Sequence, residues 1–201
     1  MQTFLVSYNL KENFSFLDDK RLFKQLLEAY QILNTLINNG GWQTHPAVKQ
    51  WRNYEKALYE YIYHCWLECQ NRQIATESKL FNKSSEIFAY FVANSKKEVV
   101  LEFPIWWGRE DIISSHKNRL YCKGEIDIVC AAIKKTLKIK SIDKWLKENY
   151  KKTKNQLKWN DCIVLKKFCE YKKIDITEKN WYSQFGWNVN PAGEYIWPIS
   201  I

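Results

Sequence analysis

The sequence predicts an all-α fold, and three observations carry that reading. An apolar stripe of helical period runs from Ser15 to Asn38, where Leu22, Leu26, Ala29, Leu33 and Leu36 recur at spacings of four, three, four and three. A second stripe, opened by His45-Pro46, runs through Val48, Trp51, Leu58, Ile62, Cys65 and Cys69. Residues 124–180 repeat the helical spacing three times over, in a lysine-rich background.

Each element follows in order. Residues 1–12 start extended and apolar and then turn polar. Gly40-Gly41 closes the first long helix, as glycines do at helix C-termini. On that helix Arg21, Lys24 and Glu28 lie within about 60° of one another, away from the apolar stripe. A carboxylate and two cations thereby share one exposed face, which fits either a solvated ion-pair row or a functional site. Pro46 suits the first turn of the second helix, and Arg52 and Lys56 fall off its stripe. A weaker helix is predicted within 78–94, and Leu101–Trp107, with Pro104 inside, reads as an ordered non-helical crossing. A short helix over Asp111–Leu120 carries His116, Lys117 and Arg119. Ile126, Val129, Cys130, Ile133 and Leu137 mark another helix, Ile142, Trp145 and Leu146 the next, and Ile163, Leu165 and Phe168 a third. The aromatic end, 181–201, reads as loop.

At 201 residues the chain is one domain, or one domain with a sizeable insertion. Ten tryptophans are more than so small a core requires, so rings are expected either in the core or at the surface, where they stack on bases. The net charge of +9 suits a polyanionic partner. Residues 124–180 hold 15 Lys and no Arg against eight acidic residues, or +7 of that +9. This segment either adds non-specific duplex affinity or forms a lysine-rich helical cap. No run of about 18 apolar residues could span a bilayer, and the first residues lack the pattern of a secretory signal. The six cysteines show no zinc-type spacing, and we read them as reduced packing residues of an intracellular protein, cytoplasmic or nuclear, with a viral origin compatible. There is no Gly-rich phosphate loop, GxSxG elbow or HExxH, and the three histidines are scattered. Carboxylates, amines and basic residues remain for any catalysis, with no cofactor or metal expected.

Two N-terminal blocks are more specific. One is Met1-Gln2-Thr3-Phe4-Leu5 followed by Leu17-Asp18-Asp19-Lys20-Arg21-Leu22, Lys24-Gln25 and Glu28-Ala29. The other is Gly41-Trp42, His45-Pro46-Ala47-Val48, Trp51-Arg52 and Tyr54-Glu55. Pro104, Trp106 and Gly108, then Ser115-His116-Lys117, Phe185-Gly186-Trp187 and Tyr195 with Trp197-Pro198 follow in order. Together they resemble the pyrimidine-dimer DNA glycosylase/AP lyase family of the phage endonuclease V type. The resemblance implies a compact all-α core over 1–123 and 181–201, with 124–180 as a helical insertion. It also implies a monomer that acts on duplex DNA containing pyrimidine dimers and removes the 5′ base through an imine to the terminal α-amine.

By that resemblance Glu28 is the catalytic acid. The attacking amine is that of Met1 if the methionine is retained, or of Gln2 if it is removed. An α-amine has a pKa of about 7.7–8.0, far below lysine's, and neighbouring cations lower it further. Arg21, Lys24, His45, Arg52, His116, Lys117 and Arg119 are assigned to phosphate or lesion contacts. His45 could instead cap its helix, and His116 could be a hydrogen-bonded core residue. Relatives often carry arginine beside the acidic position, where Leu26 and Leu27 stand, and glycine where Phe23 stands. That leaves open action on another modified base or an abasic site, or a non-catalytic DNA-binding role.

Overall fold

A computed structural model of the chain describes residues 2–94 and 101–198. Among the described residues there are eight α-helices and no strand. They are α1 (Leu10–Ser15), α2 (Asp19–Ile37), α3 (Pro46–Lys49), α4 (Glu55–Asn71), α5 (Lys79–Asn94), α6 (Glu110–Thr136), α7 (Ile142–Tyr150) and α8 (Trp159–Tyr171). No helix among the described residues is long and apolar enough to cross a membrane. The chain divides into two compact units, residues 1–113 with 196–201, and residues 114–195.

In the first unit α2 packs on α4, which also meets α1 and α5. The stripe predicted for α2 is the face that is buried, with Leu22, Leu26, Ala29, Ile32 and Leu33 inside. Asp18 caps α2 by accepting from the Arg21 backbone N–H at 2.9 Å. Phe14, Trp51, Tyr61 and Trp106 are the largest rings of this core, and Phe14 meets Tyr61 edge-on with centroids 4.7 Å apart. Arg72, just beyond α4, donates to the carbonyls of Phe14 (3.2 Å), Ser15 (2.9 Å) and Leu17 (2.6 Å). It thus partners carbonyls at the end of α1 and just beyond it.

Three sequence expectations change. Residues 10–15 form a helix where only polar chain was read, because Asn9 caps it. The single helix expected from Pro46 to Cys69 is two, broken around Asn53, whose φ of +70° is left-handed. The apolar stripe runs through because both pieces face one core. The break turns the side chains of Gln50 and Trp51 onto Thr3, at 2.5 and 3.0 Å. Conversely, the helices expected at 111–120 and 126–137 are one 27-residue helix, α6. Gly124 interrupts its apolar pattern but not its backbone. A Cβ there would lie 2.1 Å from Asn180 Oδ1.

The second unit has its own core. Ile126, Val129 and Ile133 of α6 meet Leu146 of α7 and Cys162, Leu165 and Cys169 of α8. All six cysteines of the chain are free and buried. Burial pushes the Cys130 thiol up to about 11 and that of Cys162 up to about 12, so both remain protonated packing groups.

Candidate active site

The site begins with a problem of backbone polarity. Residues 3–7 are extended and buried, yet no strand lies beside them among the described residues. Buried backbone N–H and C=O groups need partners, and here side chains supply them. Asn13 Oδ1 accepts from Val6 N (2.7 Å) and Ser7 N (3.3 Å), while its Nδ2 donates to Phe4 O at 3.3 Å. Gln25 Oε1 accepts from Phe4 N at 2.7 Å, and its Nε2 donates to Gln2 O at 2.9 Å. The Tyr61 hydroxyl lies 2.7 Å from Gln25 Oε1 and 2.9 Å from Phe4 O. Thr3 Oγ1 accepts from Gln50 and Trp51, as described above. Asn13, Gln25, Gln50, Trp51 and Tyr61, from α1, α2, α4 and the turn before α4, form a clamp around the first residues.

The clamp fixes where the chain starts. Gln2 N donates to Glu28 Oε2 at 3.1 Å. Lys24 Nζ stands 3.8 Å from the other carboxylate oxygen. Glu28 is 14% exposed and Lys24 58% exposed, so the carboxylate is largely covered while the cation beside it is open to solvent. Of the three residues named as catalytic, Gln2 and Glu28 are therefore in contact; Met1 lies outside the described residues.

The expected DNA contacts separate. Arg21 is 11% exposed and grips Asp18 at 2.6 Å, which braces the α2 cap. His45 caps α3, its Nδ1 accepting from Ala47 N at 3.1 Å. Burial lowers its pKa, and the positive chain terminus acts in the same direction. Its ring meets Trp42 and Trp197 edge-on, at 5.9 and 6.0 Å. Arg52 donates to Gln43 O (2.9 Å) and Oε1 (3.0 Å), tying down the loop before α3. That loop holds Trp42, 71% exposed at φ +74°. Trp42 flanks an open cleft of about 380 Å³ lined by Tyr30, Gln31, Asn34 and Thr35. Gln31 lies one helical turn from Glu28, so the cleft continues the Glu28 face of α2.

His116, Lys117 and Arg119 belong to the second unit. His116 is 1% exposed, stacked on Tyr195 (centroids 5.0 Å) with its Nε2 2.8 Å from the Tyr195 hydroxyl. As described, it is a buried, hydrogen-bonded histidine with no face for a phosphate. Lys117 Nζ lies 5.6 Å from the Trp187 ring centroid, and Arg119 is half-buried.

The clamp residues went unnoticed in the sequence, although a signal existed. At 100° per residue Gln25 falls between Ile32 and Ala29 on the buried face of α2. A polar amide on a buried face implies a buried partner.

Residues 1–82 match a family described as pyrimidine dimer DNA glycosylase. Over these residues the chain is similar to that family. No curated protein and no solved structure matches the chain. The stretch that matches the glycosylase family contains the whole clamp, Gln2, Glu28, Lys24, His45 and Arg52. His116, Lys117, Arg119 and the second unit lie beyond it.

Proposed function

We propose that the protein is a DNA glycosylase with AP-lyase activity, acting on pyrimidine dimers through its terminal α-amine. The observation that carries the reading is the 3.1 Å contact between Gln2 N and the Glu28 carboxylate, at a chain start held by buried side chains. In this reading the unprotonated amine adds to deoxyribose C1′ while the bond from C1′ to the base breaks, and the departing base takes a proton from solvent. The amine then loses a proton and the sugar ring opens at O4′, leaving a protonated imine. Removal of a C2′ proton expels the 3′ phosphate and nicks the strand. Glu28 balances the positive charge on sugar and imine and carries the proton between amine and ring oxygen. The amine belongs to Met1 when the methionine is retained and to Gln2 when it is removed.

Borohydride reduces an imine to a stable amine, which gives the test. Incubation with dimer-containing duplex and borohydride is expected to leave a covalent adduct that maps to the first peptide, whose end is identified by intact mass. Acetylating the α-amine abolishes it. A free amine that yields no adduct on dimer or abasic duplex refutes the proposal. Adducts on abasic DNA alone narrow the activity to lyase.

A further inference from the structure

The two units differ sharply in charge. The first carries 13 Lys and Arg against 13 Asp and Glu and is neutral; the second carries 18 against nine. The entire +9 of the chain therefore lies outside the unit that holds Gln2 and Glu28. Within the second unit Lys152 pairs with Asp161 at 2.6 Å, Lys154 with Asp127 at 2.5 Å, and Lys166 with Glu125. These three lysines are partly buried, and each uses up a carboxylate. Between residues 134 and 151, by contrast, the sequence holds seven exposed lysines and only two acidic residues, Asp143 and Glu148.

A backbone feature marks two of these seven and one further exposed lysine, Lys173. Each helix of this unit is followed by a residue in the left-handed region: Lys138 (φ +51°) after α6, Lys151 (φ +54°) after α7 and Lys173 (φ +53°) after α8. This position favours glycine or asparagine, because a Cβ is strained there. The α8 end shows the motif in full, with Lys173 N donating to Glu170 O at 3.1 Å and Ile174 N to Cys169 O at 2.8 Å. Among the described residues, the first unit's non-glycine residues of positive φ are Asn39, Trp42, Asn53, Gln73 and Ala75, none of them charged. Attraction to the helix dipole does not explain the choice at α6 and α7, since Lys134, Lys135 and Lys147 already occupy their last turns. Composition does not explain it either: lysine is 17 of the unit's 82 residues, yet fills three such positions of three.

We infer that residues 114–195 form a duplex-binding unit that supplies the chain's DNA affinity, and that Lys138, Lys151 and Lys173 hold phosphates at its three helix ends. Partner and surface are matched by charge, since a duplex is a dense line of phosphates whose condensed counterions lysines displace. The inference rests on the glycosylase reading for its choice of DNA.

The test uses the full chain with Lys138, Lys151 and Lys173 all replaced by glycine. Glycine relieves the left-handed strain, so thermal stability is expected to hold or rise, and lost binding cannot be laid to unfolding. Affinity for a short undamaged duplex is expected to fall at least about tenfold. The slope of log K against log salt should flatten by about one unit per lysine lost. The comparison variant, Lys11→Gln with Lys20→Gln and Lys83→Gln, makes the same charge change in the neutral unit and should alter the slope less. Equal losses in the two variants, or an unchanged slope in the glycine variant, overturn the inference. So does a glycine variant that keeps duplex affinity and loses binding to single-stranded RNA or to anionic vesicles. Loss of duplex affinity in a protein that never traps with borohydride supports this inference while refuting the enzymatic one.

Discussion

Replacing Glu28 with glutamine isolates the charge on which the proposed chemistry depends. Gln2 N lies 3.1 Å from Glu28 Oε2, and a glutamine oxygen can accept the same hydrogen bond, so the clamp survives. What disappears is one negative charge beside the nitrogen and sugar that become cationic. At about 4 Å and an effective dielectric constant of about 20, that attraction is roughly 4 kcal/mol. Lys24 Nζ, 3.8 Å from the carboxylate, offsets a little of it, but so exposed an ammonium is screened and contributes at most about 1 kcal/mol. The remainder corresponds to a rate loss of about a hundred- to a thousandfold. Single-turnover nicking of dimer-containing duplex, with enzyme in excess, measures this free of product release. Duplex affinity and melting temperature should match those of the unsubstituted protein. A Glu28→Gln variant that nicks within threefold of the original rate, with unchanged stability, refutes the assignment of Glu28.

Three further outcomes test the surroundings. Gln25→Leu leaves Phe4 N–H and Gln2 C=O buried without their partners. It should cost about 2–4 kcal/mol by urea denaturation, and adduct formation should slow as the terminus loosens. His45 accepts from Ala47 N through Nδ1 and its pKa is lowered, so protonation breaks the α3 cap. Its contribution is full above about pH 6.5 and is lost as pH falls through its lowered folded value. His45→Asn, which can still cap, should flatten the fall in urea midpoint between pH 7.5 and 5. It will not abolish that fall, because burial lowers His64 with the same sign. Gly124→Ala drives a Cβ to 2.1 Å from Asn180 Oδ1. Asn180 donates to Tyr121 O and Glu125 Oε1, at 3.0 and 2.8 Å, so the variant should lose about 1–3 kcal/mol, read as a lower melting temperature.

What was legible in the sequence divides along physical lines. Helices announced by apolar period are present, because burying one face is a local, repeating requirement: the α2, α7 and α8 stripes needed no tertiary knowledge. Helix ends were less legible. The break at Asn53 exists so that Gln50 and Trp51 can reach Thr3, a partner 47 and 48 residues away. Gly124 permits a close approach from Asn180 and does not end the helix. At the candidate site, charged residues stood out, and Glu28 with Gln2 proved adjacent. Neutral amides did not stand out: Asn13 acts through buried backbone contacts that no local pattern encodes, and Gln25 was signalled only by its place on the buried face of α2. Arg21 and Arg52 looked like free cations but are drawn into holding the α2 cap and the loop before α3.

The clamp lies wholly within the stretch that matches the family, residues 1–82. A chain terminus is the part of a protein most prone to fray, and the nucleophile proposed there would have to be held without a neighbouring strand. Here α1 supplies Asn13, α2 supplies Gln25 and Glu28, the turn before α4 supplies Gln50 and Trp51, and α4 supplies Tyr61. All of them fall within residues 1–82. That stretch contains the elements that place Gln2 N against one carboxylate. Holding the terminus requires buried neutral amides, whereas attracting a polyanion requires exposed charge, and the two demands conflict in one small surface. In this chain they are met by different residues in different units, the first neutral and the second carrying +9. Mutations that abolish chemistry should therefore leave the salt dependence of binding intact, and mutations that flatten the salt dependence should leave saturated single-turnover chemistry intact.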